Sequence, residues 1–211
     1  MPVNQQDVLR WLDALQGVFA ENQQQLTALD SAIGDGDLGA SLERGFTAVQ
    51  AALSATPPAD LRGVFQSVAG VLIKTMGGTS GPLLGTFFLR GAAVCADKSE
   101  LAPADVVALF QAGVDGIQQR GKAARGDKTM LDALIPAVEA MRGALDAGNA
   151  LPEILDRGAA AAGAGALATR EMQARKGRGS YLGERSIGHQ DPGATAAHLL
   201  LTAAADAWRS S

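Results

Sequence analysis

Apolar residues return at three- and four-residue intervals in segment after segment of this chain, and proline and glycine cut the segments apart. That pattern limits the fold to packed helices. Val8, Leu12, Leu15 and Phe19 step along one helical face, and Leu42, Phe46, Val49 and Leu53 along a second. Thr56-Pro57-Pro58 ends the second, and Leu61, Val64, Phe65, Val68 and Leu72 mark a third. Ser80-Gly81-Pro82 starts a fourth, carried on by Leu83, Phe87 and Val94. Pro103 opens a fifth through Val106, Val107, Phe110 and Ile117. Asp127 is expected to cap a sixth, containing Leu131, Leu134, Val138 and Met141 and bent at Pro136. Pro152 begins an Ala-rich seventh, and Asp191-Pro192 is a cap and first turn for an eighth. Aromatic residues make up only 4% of the chain, and Ala and Leu dominate its apolar content, so little material for strands exists. The expectation is an all-α protein, one domain over residues 1–211, with mostly antiparallel neighbours in a bundle or closed helical barrel. The Ala and Gly content from Gly158 to Ala168 permits close helix approach.

Several function classes are disfavoured. The net charge of −4, with no basic stripe interleaved with aromatics, argues against a nucleic-acid partner. A lone Cys95 excludes an internal disulfide framework and fits a reducing compartment. Asn4-Gln5-Gln6-Asp7 interrupts any leader-like apolar run, and no unbroken apolar stretch reaches membrane-spanning length. A cytoplasmic protein without a membrane partner is expected.

The unusual chemistry lies between the helices. Gly34 to Gly39, Gly77 to Gly81, Gly121 to Thr129 and Lys176 to Gly193 are polar, glycine-rich links. In an up-and-down arrangement these four alternate links gather at one end. Asp30, Asp35 and Asp37 crowd three carboxylates into the first. Asp35 and Asp37 share a face if the segment is extended, and the glycines let the backbone fold Asp30 alongside. A hard divalent cation relieves the repulsion of such carboxylates, although caps in a solvated turn would use the same residues. Calcium in an EF-hand fails on spacing: counting from Asp35, the sixth position is Ala40 where Gly is needed, and the twelfth is Phe46 where Glu belongs. Magnesium shared between carboxylates and substrate phosphates fits better.

The other links suit anions. Gly77-Gly78-Thr79-Ser80-Gly81-Pro82 ends at an expected helix N-terminus, where N–H groups favour phosphate. Gly116 to Ala123 nearly matches a nucleotide P-loop but lacks the closing hydroxyl and a preceding strand. Gly121, Lys122, Arg125 and Lys128 remain candidates for a phosphate or base pocket, or for a solvated basic turn. Arg175-Lys176-Gly177-Arg178 is compact and basic, fit for a polyphosphate. His189 is a loop histidine open to local hydrogen bonding or to general-base or phosphoryl-carrier duty, and His198 reads as a packed helix residue.

These separated segments resemble the nucleotide-binding L subunits of dihydroxyacetone kinases over essentially the whole chain. The resemblance is carried by Ile33-Gly34-Asp35-Gly36-Asp37, Gly78 to Phe88, Arg120-Gly121-Lys122, Gly126 to Met130, and Ala174 through Gly193. It implies an antiparallel eight-helix barrel with ADP or ATP and two Mg2+ ions at one end. By matching position, Asp30, Asp35 and Asp37 would be the metal ligands. Leu38, Gly39, Ala40 and Ser41 would border the phosphates, with Thr79 and Ser80 adding contacts. Gly121 and Met130 would flank adenine or ribose, Arg178 would reach the phosphates, and Asp191, Pro192 and Gly193 would close the pocket. Many members resembling this chain carry His where Leu38 stands, so any role for that imidazole is lost here. The implied partners are a dihydroxyacetone-binding K subunit, a phosphohistidine-bearing donor and, secondarily, a transcriptional regulator. The implied activity is phosphoryl transfer through Mg-bound nucleotide. An ATP-dependent kinase subunit for another small ketose such as erythrulose, or a nucleotide-occupied regulatory module, are the alternatives.

Overall fold

The computed structural model describes residues 2–209. Nine α-helices occur among the described residues: α1 (Gln5–Glu21), α2 (Gln23–Ile33), α3 (Leu38–Ala55), α4 (Leu61–Thr75), α5 (Ser80–Val94), α6 (Pro103–Gly121), α7 (Leu131–Asp146), α8 (Leu151–Ala168) and α9 (Pro192–Ala207). Eight of them form a ring in which α1 packs on α3, each helix from α3 to α9 packs on the next, and α9 returns to α1. The expected eight-helix barrel is therefore present, and α2 is an additional helix lying against α3 and α9. Asn22 separates α2 from α1, its side-chain Nδ2 donating to the Val18 carbonyl at 2.8 Å.

Two local expectations change. The segment 23–33 is helical, so Asp30 stands on the last turn of α2, and the glycine-bearing loop after it folds Asp35 and Asp37 back alongside. Asp127 does not cap the sixth expected helix, which begins at Leu131. Its carboxylate accepts from the Ala124 N–H at 2.8 Å and closes a turn, while Asp132 holds Gly126 N and Thr129 N. Asp191, by contrast, caps α9 as its sequence signals, accepting from Ala194 N at 2.7 Å. A two-residue antiparallel pair of β1 (Val3–Asn4) and β2 (Glu100–Leu101), with Val3 opposite Leu101, ties the chain start to the α5–α6 link.

The barrel interior is filled by Trp11, Phe65, Phe88, Phe110 and Trp208, all fully buried. Trp11 and Trp208 meet edge to face at 5.0 Å between ring centroids, a favoured aromatic geometry. No helix among the described residues is long and apolar enough to cross a membrane.

Helices α7 and α8 pack closely through the small residues noted in sequence. A methyl at Gly158 would overlap Met141, and one at Gly165 would overlap the Asp132 carbonyl. That carbonyl is the one four residues before Pro136, whose ring nitrogen has no hydrogen to donate to it. Gly165→Ala is therefore expected to force α7 and α8 apart and cost about 1–3 kcal/mol. Gly143→Ala, which meets nothing within 4 Å, is the control and should be neutral or stabilising. Thermal unfolding of the two variants would distinguish these outcomes.

Candidate nucleotide site

The α2–α3, α4–α5, α6–α7 and α8–α9 links meet around a single cavity of about 490 Å³. Consequently the first turns of α3, α5, α7 and α9 all border it, at Leu38, Ser80, Leu131 and Pro192. Each helix N-terminus carries roughly half a positive charge on unpaired N–H groups. Four such termini around one volume form a field suited to a polyanion.

Facing that field is the acidic cluster. One carboxylate oxygen from each of Asp30, Asp35 and Asp37 lies within 4.8 Å of the others, with Asp30 buried and the other two exposed. The loop between α2 and α3 is a tight turn, not an extended strand: Gly36 takes φ +75° and Asp37 a helical φ/ψ of −97°/−12° at the N-cap of α3. Asp30 Oδ2 accepts from Leu38 N at 3.1 Å, which locks the first turn of α3 to the last turn of α2. Partial desolvation and the neighbouring Asp35 and Asp30 carboxylates push the Asp37 carboxyl above its ordinary value, against the pull of Arg178 and Arg44. Arg178 Nη1 pairs with Asp35 Oδ2 at 2.6 Å, so a guanidinium supplies positive charge beside the cluster. The donors are all hard oxygens on carboxylates, a set that fits Mg2+ and disfavours soft metals.

Of the residues singled out by sequence, Leu38, Thr79, Ser80, Gly121, Met130, Arg178, Asp191, Pro192 and Gly193 line the cavity with the three aspartates. Gly39, Ala40 and Ser41 do not line it. Gly39 sits where α3 crosses the Gln23 carbonyl and Thr27 of α2, and the Ser41 hydroxyl accepts from Arg44 Nη2 at 3.1 Å. Arg125 pairs with Glu139 at 3.0 Å on the surface, and Lys122 is an exposed left-handed residue after α6. His189 is exposed, and His198 Nδ1 lies 3.2 Å from the Ala159 carbonyl in a helix contact. Cys95 is buried, and desolvation pushes its thiol up to about 12. Asp191 is pushed up to about 7, first by burial and then by Asp132 and Asp30, against the Ala194 N–H and Lys128.

Lys128 departs most from the sequence reading. It borders the cavity, but its ammonium points into a cage of four carbonyl oxygens: Thr169 at 2.8 Å, Met172 at 3.0 Å, Ser186 at 2.7 Å and His189 at 2.5 Å. The residue is only 1% exposed. Burial lowers its pKa, Asp191 and Glu171 oppose that, and the carbonyl dipoles favour the charged form. Leu83, Ile117 and Leu131 supply apolar lining that motif reading missed. Their signal was present, since each is the apolar residue next to a glycine-rich link.

The DAK2 domain family matches residues 32–206, and the chain belongs to that family. It is similar to the PEP-dependent dihydroxyacetone kinase ADP-binding subunit DhaL of Escherichia coli, 40% identical over 95% of this chain and 96% of that protein. It is likewise similar to the PTS-dependent dihydroxyacetone kinase ADP-binding subunit DhaL of Lactococcus lactis, at 40% identity over 88% of each. The crystal structure of the dihydroxyacetone kinase from C. freundii in complex with AMP-PNP and Mg2+ superposes with a TM-score of 0.75 at 26% identity. That match covers 98% of this chain and 34% of the other, so the chain spans about a third of that kinase.

Protons and a divalent cation compete for the same oxygens, and a raised Asp37 holds its proton to a higher pH than an ordinary carboxyl. Mn2+ affinity is therefore expected to decline as pH falls toward the carboxylate range, beginning above the pH at which an ordinary aspartate takes up its proton. In Asp37→Asn both the affinity and its pH slope should drop, read by electron paramagnetic resonance of bound Mn2+.

Proposed function

We propose that this chain is the nucleotide-binding subunit of a cytoplasmic dihydroxyacetone kinase. It holds ADP or ATP with Mg2+ at the barrel rim, receives a phosphoryl group from a phosphohistidine-bearing donor, and passes it to dihydroxyacetone on a separate K-type subunit. The observation that carries this reading is the meeting of three carboxylates with four helix N-termini at one cavity. Similarity to DhaL subunits nearly end to end supports the same reading.

Asp30, Asp35 and Asp37 would hold Mg2+, with the resemblance implying two ions. When bound, the Mg-nucleotide supplies the transferable phosphoryl group and the neutralisation of charge that phosphoryl transfer requires. The chain itself provides position. Arg178, now paired with Asp35, would be the guanidinium available to phosphate oxygens. Thr79 and Ser80 at the start of α5 would orient the anion, Gly121 and Met130 would accept the base and ribose, and Asp191 to Gly193 would screen the site from water; all of them line the cavity. No carboxylate or imidazole in the cavity is required as a proton carrier, because the acceptor and its hydroxyl belong to the K-type subunit. Leu38 contributes backbone and packing, and no imidazole stands at that position.

Native mass spectrometry of the purified chain tests occupancy directly: bound nucleotide and magnesium are expected together. Asp35→Asn should weaken ADP retention at least about tenfold, corresponding to roughly 1.4 kcal/mol. Unchanged co-purifying ADP in that variant would refute the metal assignment. A coupled assay should detect no dihydroxyacetone phosphorylation by the chain alone, and turnover once the donor and K-type subunits are added. Fast exchange of bound nucleotide with free ATP would instead point to an ATP-dependent kinase.

A further inference from the structure

Among the described residues Lys128 is the one fully buried lysine at the cavity edge, and its position is costly. It adopts a left-handed φ of +61°, disfavoured for a side chain with a Cβ. Its three N–H donors are distributed among carbonyls from both ends of the long α8–α9 link. Thr169 and Met172 belong to the start of that link, and Ser186 and His189 to its end.

The same residues hold the cavity wall. The Thr169 hydroxyl accepts from Asp191 N at 2.8 Å, and Asp191 in turn caps α9 at Ala194. The Ser186 hydroxyl accepts from Ala174 N at 2.8 Å and donates to the Gly183 carbonyl at 2.6 Å. Arg175 N donates to the Asp127 carbonyl at 3.0 Å, a second tie between the two links. The Asp132 carboxylate accepts from Gly126 N and Thr129 N on either side of Lys128 in the chain. A long polar link has many conformations to lose, and a single ammonium that gathers four of its carbonyls removes most of that freedom.

We propose that Lys128 is a positioning residue for nucleotide binding, an internal cationic clip that sets Arg178 and the Asp191–Gly193 closure against the Gly121–Met130 wall without touching the ligand. This rests on the nucleotide-site reading above. It assigns Lys128 a role distinct from the phosphate contact that a basic residue in a glycine-rich loop suggests.

Lys128→Met keeps the four-atom stem and removes the ammonium with its charge and donors. Titration calorimetry should show Mg-ADP affinity falling at least tenfold, while Mn2+ binding to the aspartates without nucleotide changes less than threefold. Lys128→Ala leaves room for a small ammonium, so n-propylammonium should restore Mg-ADP affinity saturably and neutral n-propanol should not. A purely structural role would lower metal and nucleotide affinity together. Wild-type affinity in Lys128→Met, equal losses for metal and nucleotide, or equal rescue by propanol would overturn the clip. If neither variant folds, the wild-type protein still decides, because coupling between two sites is reciprocal. One lysine ammonium should exchange its protons slowly by NMR, and more slowly with Mg-ADP bound; fast exchange, or no response to nucleotide, overturns the proposal. Failure of the wild-type chain to bind Mg-ADP overturns the functional reading and this inference together. Binding by wild type with an unaffected variant overturns the inference alone.

Discussion

The ring depends on the seam between its first and last helices. Trp11 of α1 donates its indole N–H to the Leu200 carbonyl of α9 at 3.2 Å, and Trp208 donates to the Asp7 carbonyl of α1 at 2.9 Å. The exchange is reciprocal, and the two rings pack edge to face between the hydrogen bonds. Both indoles are fully buried, so each bond lies in a low-dielectric interior where leaving the donor unpaired would be costly. With α9 fastened to α1, the α8–α9 link must return to the rim that already carries the α2–α3 loop. The cavity thus borders the start of α9, while Trp208 fastens the end of the same helix to α1.

Closure also explains the electrostatics. Alternate links collect at one end because consecutive helices run up and down, and that end receives four helix N-termini. A polyanion would meet converging N–H groups there, beside three crowded carboxylates that a divalent cation would relieve. Neither half suffices alone. Crowded carboxylates would repel phosphate, and the helix dipoles by themselves would take any small anion.

Much of this was legible in the chain. Period-3.6 spacing located six of the ring helices, Pro152 and Asp191-Pro192 located the starts of α8 and α9, and the Gly/Ala run of α8 anticipated close helix approach. The Asp30, Asp35 and Asp37 cluster was visible because three acids separated by glycine have few other uses. Helix α2 was less legible, since Gln23-Gln24-Gln25 offers no apolar periodicity and its few buried residues, Leu26, Asp30 and Ile33, include an acid. The cage around Lys128 could not be read at all. Its partners are main-chain carbonyls 41 to 61 residues away, and a carbonyl has no letter in a sequence. Only the fold says whether a lysine in a glycine-rich loop faces ligand or backbone.

Beneath the cavity lies a small apolar void of about 20 Å³ bounded by Phe19, Leu42, Phe87, Leu134 and Leu200. Leu38, Ser80, Met130 and Gly193 border both this void and the cavity above it. The ceiling of the core is therefore the floor of the binding site, one side chain thick. A substitution at Leu38 or Met130 acts on both compartments at once, and adapting the site to a different base or sugar means repacking the interior. Variation in ligand preference within such a barrel is mechanically freer along the Arg178 link, which has solvent behind it, than along this shared partition.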